Sequence, residues 1–194
     1  MKLLHVDSSI LGGNSASREL SAAVVARWQA ANPGLQVTRR DLETDPLPHL
    51  TAGSLAGADP AEAEAAAKVM QEFLDADVVV VGAPMYNFTI PSTLKAWIDR
   101  LAVAGKTFRY TENGVQGLAG AKKVIVASSR GGYHVDAPSD FQEPYLRFMF
   151  GFFGITDVEF VRVEGLAVTP DRKPELLEAA RATIVEPSHA RLAA

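Results

Sequence analysis

Residues 77–88 read DVVVVGAPMYNF: four consecutive valines and a glycine, then methionine, tyrosine, asparagine and phenylalanine. A β-branched run with no polar alternation is a strand covered on both faces, because a half-exposed strand alternates. Such strands belong to parallel sheets, whose crossover connections lay helices on both sides. The bulky side chains after Gly82 raise a second question, since a short turn of small residues would end a strand equally well. They are either core that runs past the strand or one wall of a pocket for something flat and partly apolar.

Working outward, apolar runs and helical periods alternate along the whole chain. KLLHV (2–6), LQVTRRDL (35–42), KKVIVAS (122–128) and DVEFVRV (157–163) join DVVVVG (77–82) as five strands. Leu20, Val24 and Trp28 fall at four-residue intervals within a helix over 17–31. Asp59-Pro60-Ala61-Glu62 is a helix start, with Asp as cap, Pro in the first turn and Glu three residues on. That helix turns Val69, Met70, Phe73 and Leu74 inward; the next, over about 91–104, turns Leu94, Trp97, Ile98 and Leu101 inward and stops at Gly105. YLRFMFGFF (145–153) and about 174–185 supply two more helices, while KTFRYTENGVQGL (106–118) reads as a hairpin turning at Glu-Asn-Gly. Residues 43–58 read as a loop, and neither repeat nor linker interrupts residues 1–194, which form one domain. The reading is an α/β doubly wound parallel sheet with helices on both faces, in the flavodoxin-like order 2-1-3-4-5. Ligands of such sheets bind beyond the carboxyl ends of the strands, so the loops after strands 1, 3 and 4 carry the information.

Composition narrows the classes. Hydrophobic residues make up 47% and charged residues 22% of the 194, a globular composition. A net charge of −4, with Arg39-Arg40 as too short a basic run, argues against nucleic-acid binding. No window approaches the roughly 18–20 apolar residues that span a bilayer, and MKLLHVDSS enters a strand without a signal peptide's apolar stretch. The expectation is a soluble, cytoplasmic protein. Without cysteine there are no disulfides, thiolate ligands or cysteine nucleophiles. His5 falls inside the first strand; Asp136 and Asp140 lack a third ligand at metal-binding spacing and read as solvated or capping residues, so no metal is expected. The tail PSHARLAA (187–194) reads as a fraying end.

The three loops point one way jointly. DSSILGGNSAS (7–17) opens a helix with hydroxyls and unpaired N–H groups, a setting for an anion. It is neither G-x-G-x-x-G nor a P-loop, so a single phosphate monoester fits better than a pyrophosphate; alone, ordinary serine capping explains it as well. Ser128-Ser129-Arg130-Gly131-Gly132-Tyr133-His134 offers a glycine pair that lets backbone approach a ligand, and a histidine able to donate to it. Neighbouring strands about 4.8 Å apart set the three loops across about 10 Å, the width of a tricyclic ring with a phosphate tail. Met85, Tyr86 and Phe88 suit its apolar edge and Asn87 its polar edge.

These residues resemble the FMN-dependent NADH azoreductases, within the wider NAD(P)H:quinone oxidoreductase group of flavodoxin-like proteins. The resemblance runs through nearly the whole chain. It is most specific where PMYNF is joined to FRYTENG, with SSILGGNSAS, SSRGG followed by His134, and GFFGITDVEF in support. It implies that Ser9 and Ser15-Ala16-Ser17 hold the FMN phosphate, and that Pro84, Met85, Tyr86, Asn87 and Phe88 line the isoalloxazine. Ser129, Arg130, Gly131 and Gly132, with His134, would lie along the pyrimidine side. Tyr110 would reach the flavin of the other subunit of a homodimer, and Phe152 would help form the platform where substrate stacks. Two departures stand out: Ala16 replaces a frequent Gln, keeping only the backbone N–H, and the 43–58 loop is short, which leaves NADH against NADPH open.

The expected activity is an FMN-dependent NADH:quinone oxidoreductase or azoreductase working by a ping-pong cycle. NADH or NADPH delivers hydride; quinones, azo compounds or similar flat aromatic acceptors take the electrons. His134 and the Gly131–Gly132 N–H groups are suited to stabilise the negative charge of the reduced ring. Two other readings compete. One is a flavodoxin-type electron carrier without its own substrate; the other is a cofactor-free interaction domain using MFGFF (149–153) as a dimer face.

Overall fold

A computed structural model describes residues 1–185 and 187; apart from Pro187, the PSHARLAA tail lies outside the described residues. Five strands, β1 (Lys2–Asp7), β2 (Gln36–Asp41), β3 (Val78–Pro84), β6 (Lys123–Ser129) and β7 (Asp157–Val163), form one sheet in the order β2-β1-β3-β6-β7. Every pairing in it is parallel. Between β3 and β6 the chain makes the hairpin of β4 (Phe108–Thr111) and β5 (Gly114–Gly117), a separate two-stranded sheet. Counting main-sheet strands alone, the order is the expected 2-1-3-4-5.

The helices divide between the two faces. α1 (Ala16–Ala31) and α6 (Lys173–Ala182) cover one; α3 (Pro60–Asp75), α4 (Ser92–Leu101) and α5 (Gln142–Phe152) cover the other. The valine run explains itself here. Val78 and Val80 pack with Leu20, Val24, Trp28 and Leu177 on the first face; Val79 and Val81 pack with Phe73, Leu94 and Trp97 on the second. A strand with two apolar faces has no use for alternation. Phe73 anchors the second core, with its ring edge-on to Trp97 at 5.9 Å and to Phe153 at 6.0 Å.

Local signals mostly place the ends. Asp59 caps α3, accepting from the N–H groups of Ala61 and Glu62, with Pro60 as first residue. The 43–58 stretch departs from the expected plain loop by forming the one-turn helix α2 (Ala52–Leu55). Its cause is local: Thr51 and Ser54 cap one another reciprocally. The buried Arg100 then pins the loop, donating to the Pro48 carbonyl at 2.8 Å and to Glu62 at 2.5 Å. Among the described residues, no helix is long and apolar enough to cross a membrane, and no cluster of three His, Asp or Glu could hold a metal.

Candidate functional site

Beyond the carboxyl end of β1 the chain turns through a short 3-10 helix (Gly12–Asn14) into α1. Gly12 sits at φ +50°, where a side chain is strained. Ser15 caps α1 by accepting from the Arg18 N–H at 3.3 Å, while Ala16 and Ser17 open the helix with N–H groups that have no intrahelical acceptor. Arg18 fastens this loop from behind. Its guanidinium donates to the Ser9 carbonyl at 2.8 and 3.2 Å and holds Asp41 with two bonds of 2.5 and 2.7 Å. Beneath it lies a buried chain in which Ser21 Oγ donates to Asp7 at 2.8 Å and meets His5 Nε2 at 2.9 Å. A Cβ on Gly82 would stand 2.6 Å from the Asp7 carboxylate, so a side chain there would displace this buried group.

Burial by itself would push the Asp7 carboxyl up. The hydrogen bond and charge of His5, the Ser21 hydroxyl and the Arg18 charge outweigh it and hold Asp7 below the usual carboxylate range. A depressed carboxyl contributes stability that is complete above its unfolded value and is lost as pH falls through the lower folded value. Asp7→Asn is therefore expected to cost about 1–3 kcal/mol at neutral pH. Thermal unfolding followed from pH 6 to pH 2 should show that deficit closing at the acid end, where wild type loses the same interaction.

The stretch after β3 forms a tight turn. Tyr86 and Thr89 exchange both backbone hydrogen bonds, at 2.9 and 3.1 Å, and Asn87 and Phe88 between them have φ of +49° and +71°. Positive φ at both central positions marks the turn that normally takes Asn-Gly. Here the second position is an aromatic residue in a left-handed conformation, a strain of about 1–2 kcal/mol. The turn presents the exposed Phe88 ring beside His134, edge-on at 5.7 Å, and sends the Tyr86 hydroxyl back to the first loop. That hydroxyl accepts from the Ile10 N–H and shares a hydrogen bond with Ser9 Oγ, both at 3.2 Å. Removing the ring in two ways separates strain from contact. Phe88→Gly is expected to be more stable than Phe88→Ala by about 1 kcal/mol, the reverse of the usual order, because only Gly relieves the backbone. Urea unfolding of both variants checks this, and equal midpoints would contradict it.

The loop after β6 is built around Arg130. Its side chain is wholly buried and faces Asp140 at 3.0 Å, Glu143 at 2.8 Å and Glu164 at 3.3 Å. Glu164 in turn accepts from the N–H groups of His134 and Val135. Gln142, the first residue of α5, bridges Ser128 and the Ala83 carbonyl and so joins the ends of β6 and β3. The N–H groups of Gly131 and Gly132 donate to no acceptor among the described residues. A Cβ on Gly132 would stand 2.8 Å from His134 Nε2, and the other ring nitrogen of His134 meets Ser139 Oγ at 2.9 Å.

These loops enclose a cleft of about 280 Å³. Of the residues singled out in the sequence, it gathers Ser9, Ser15, Ala16, Pro84, Met85, Tyr86, Ser129, Arg130 and Gly131. Ser17 lies buried behind, its hydroxyl 3.1 Å from that of Ser15. Asn87 lines an adjoining cleft of about 590 Å³ with Tyr86, Ile90, Pro91 and Tyr145, whose hydroxyl is pushed up to about 12 by burial and by the Asp99 charge. Phe88 and His134 pair as described, next to Gly132. Tyr110 and Phe152 belong to a different surface: Tyr110, 74% exposed, leans edge-on against Phe108, which packs on Phe152 at 4.5 Å, with Phe148 stacked beyond.

The cleft also has a wall that the three-loop reading missed. Leu166, Ala167 and Lys173 come from the connection after β7 and the start of α6, with Leu11 and Asn14 closing the first loop. The signal was present, since β7 is parallel to the others and its carboxyl end reaches the same edge.

Residues 1–186 match the family model Flavodoxin_2, described as "Flavodoxin-like fold". The chain is 62% identical over 189 residues to the FMN-dependent NADH:quinone oxidoreductase of Stenotrophomonas maltophilia (strain K279a), covering 97% of this chain and 96% of that protein. With the FMN-dependent NADH:quinone oxidoreductase of Rhizobium meliloti (strain 1021) it shares 54% identity over 205 residues and the full length of both. Among solved structures, the azoreductase from Bacillus anthracis str. Sterne superposes with a TM-score of 0.85 at 34% identity, over 95% of this chain and 96% of that one. A parallel sheet in this order, a cleft at its switch point and this degree of identity agree: the chain belongs to the FMN-dependent NADH:quinone oxidoreductase family, built on the flavodoxin-like fold.

Proposed function

We propose that the protein is an FMN-dependent NADH:quinone oxidoreductase with azoreductase capacity, acting in the cytoplasm as a homodimer. The observation that carries this is the cleft's polarity. Its lining joins a helix N-terminus dressed with Ser9 and Ser15, the bulky Pro84, Met85 and Tyr86, and Gly131, whose N–H has no acceptor among the described residues. An anion at one end, an apolar face and free backbone donors are what a phosphorylated flat heterocycle requires. The residues fit FMN. Ser9, Ser15 and the N–H groups of Ala16 and Ser17 would hold the phosphate; Pro84 to Phe88 would line the ring; Ser129 to Gly132 would meet its polar edge.

When bound, FMN supplies the two-electron chemistry between a reduced nicotinamide and a flat acceptor. The chain positions it and does little else. With FMN bound, the Gly131 and Gly132 N–H groups and His134 would serve as preorganised donors to the edge where negative charge collects. The Tyr86–Thr89 turn fixes Phe88 as a rim, leaving the adjoining cleft for the acceptor. Tyr110 stands on an exposed hairpin and does not line its own chain's cleft, as suits a residue offered to a partner's site. Phe152 and Phe148 extend that apolar surface. A soluble reduced nicotinamide as donor supports the cytoplasmic reading.

Steady-state oxidation of NADH, with a quinone and then with an azo dye as acceptor, tests the reading; NADPH in parallel settles the donor. Rapid acceptor-dependent turnover supports the enzyme. A protein that binds FMN but turns over neither acceptor would be an electron carrier instead.

A further inference from the structure

Two cationic side chains line the cleft, Arg130 and Lys173. Arg130 is already answered by three carboxylates. Behind the first loop, Arg18 is spent on Asp41, and Arg39 pairs with Asp7 at 3.3 Å. Lys173 differs from all of these. It is half-buried, forms no ion pair among the described residues, and its Nζ donates to the Asn14 backbone carbonyl at 3.2 Å. Asn14 immediately precedes the Ser15 cap of α1, so the ammonium stands beside the loop whose N–H groups await an anion. The position is also a poor one for a lysine on helical grounds. Lys173 is the first residue of the ten-residue α6, which has no side-chain cap, and a helix N-terminus favours anions and repels cations.

Resting on the FMN reading above, we propose that Lys173 is the counter-charge of the flavin phosphate, reaching it from α6, outside the three loops that form the rest of the site. A phosphate monoester carries close to two negative charges at neutral pH. Serine hydroxyls and backbone N–H groups are neutral donors and leave that charge unmatched, whereas a lysine binds phosphate as a point charge. Lys173 thus sets the preference for the phosphorylated flavin over riboflavin. The same anion removes the conflict between the ammonium and the α6 dipole.

Fluorescence titration of the flavin-free full-length protein with FMN and with riboflavin tests this, using wild type, Lys173→Gln and Lys173→Arg. Lys173→Gln is expected to weaken FMN binding by about tenfold to about a hundredfold, to leave riboflavin binding unchanged, and to flatten the salt dependence of FMN binding. Lys173→Arg should keep most of the affinity. The flavin-free Gln variant should melt no lower than wild type, because the dipole conflict is gone. Unchanged FMN affinity in the Gln variant, or a parallel loss of FMN and riboflavin, overturns the assignment while leaving the cofactor reading intact. A wild-type protein that binds neither flavin overturns both.

Discussion

Arg130→Met is expected to destabilise the protein by about 3–5 kcal/mol at neutral pH, a large share of the roughly 5–15 kcal/mol that holds an ordinary domain together. The arginine side chain is fully buried among Asp140, Glu143 and Glu164, and methionine matches its length without its charge. Three carboxylates would then lie close together with their shared cation gone. Arg162 answers Glu143 at 2.6 Å, but Asp140 and Glu164 would lose their guanidinium partner. Urea unfolding at neutral pH measures the deficit; a midpoint equal to wild type would contradict the assignment. The site should suffer with the fold, because Glu164 also holds the N–H groups of His134 and Val135.

Gly117→Ala is the second large effect. A Cβ at this position in β5 would lie 2.1 Å from the Gly154 nitrogen and 2.3 Å from its Cα. Backbone cannot rotate aside, and Gly154 is itself held at φ +90° after the end of α5. Overpacking of this kind costs about 1–3 kcal/mol or more. The cheapest escape is for the hairpin to lift off α5, breaking the bond from Ala119 N–H to the Phe153 carbonyl at 3.0 Å and separating Phe108 from Phe152. Tyr110 moves with it. The expected result is new protease sensitivity within 106–118 and a marked fall in acceptor turnover, with less change in FMN binding. An intact hairpin and normal turnover would show that Tyr110 needs no such support.

The fold was legible because its main signals are local. Four valines in a row define a strand with two covered faces, and Asp59-Pro60 marks a helix start through its own chemistry. The one-turn α2 was missed because it rests on a Thr51–Ser54 exchange rather than on any helical period. The site was legible in part. Serines at a helix opening and bulky residues after β3 pointed to the cleft, but what each side chain does there depends on distant partners. Arg130 sits in Ser-Arg-Gly-Gly, but its guanidinium is held by carboxylates further along the chain: Asp140 just before α5, Glu143 in α5 and Glu164 just past β7. The left-handed Asn87–Phe88 turn was hidden for a different reason, since phenylalanine is not a residue that such a conformation favours. Lys173 was overlooked because a lone lysine at a helix start carries no pattern.

The most direct measurement is the visible absorption of the purified protein, kept anaerobic, first alone or after reconstitution with FMN, then with NADH, then with a quinone. The expected result is flavin bands from a stoichiometric cofactor, bleached by NADH and restored by one equivalent of quinone. A protein that shows no flavin bands even after incubation with FMN, or whose bands do not change with NADH, would contradict an FMN site in this cleft serving two-electron transfer.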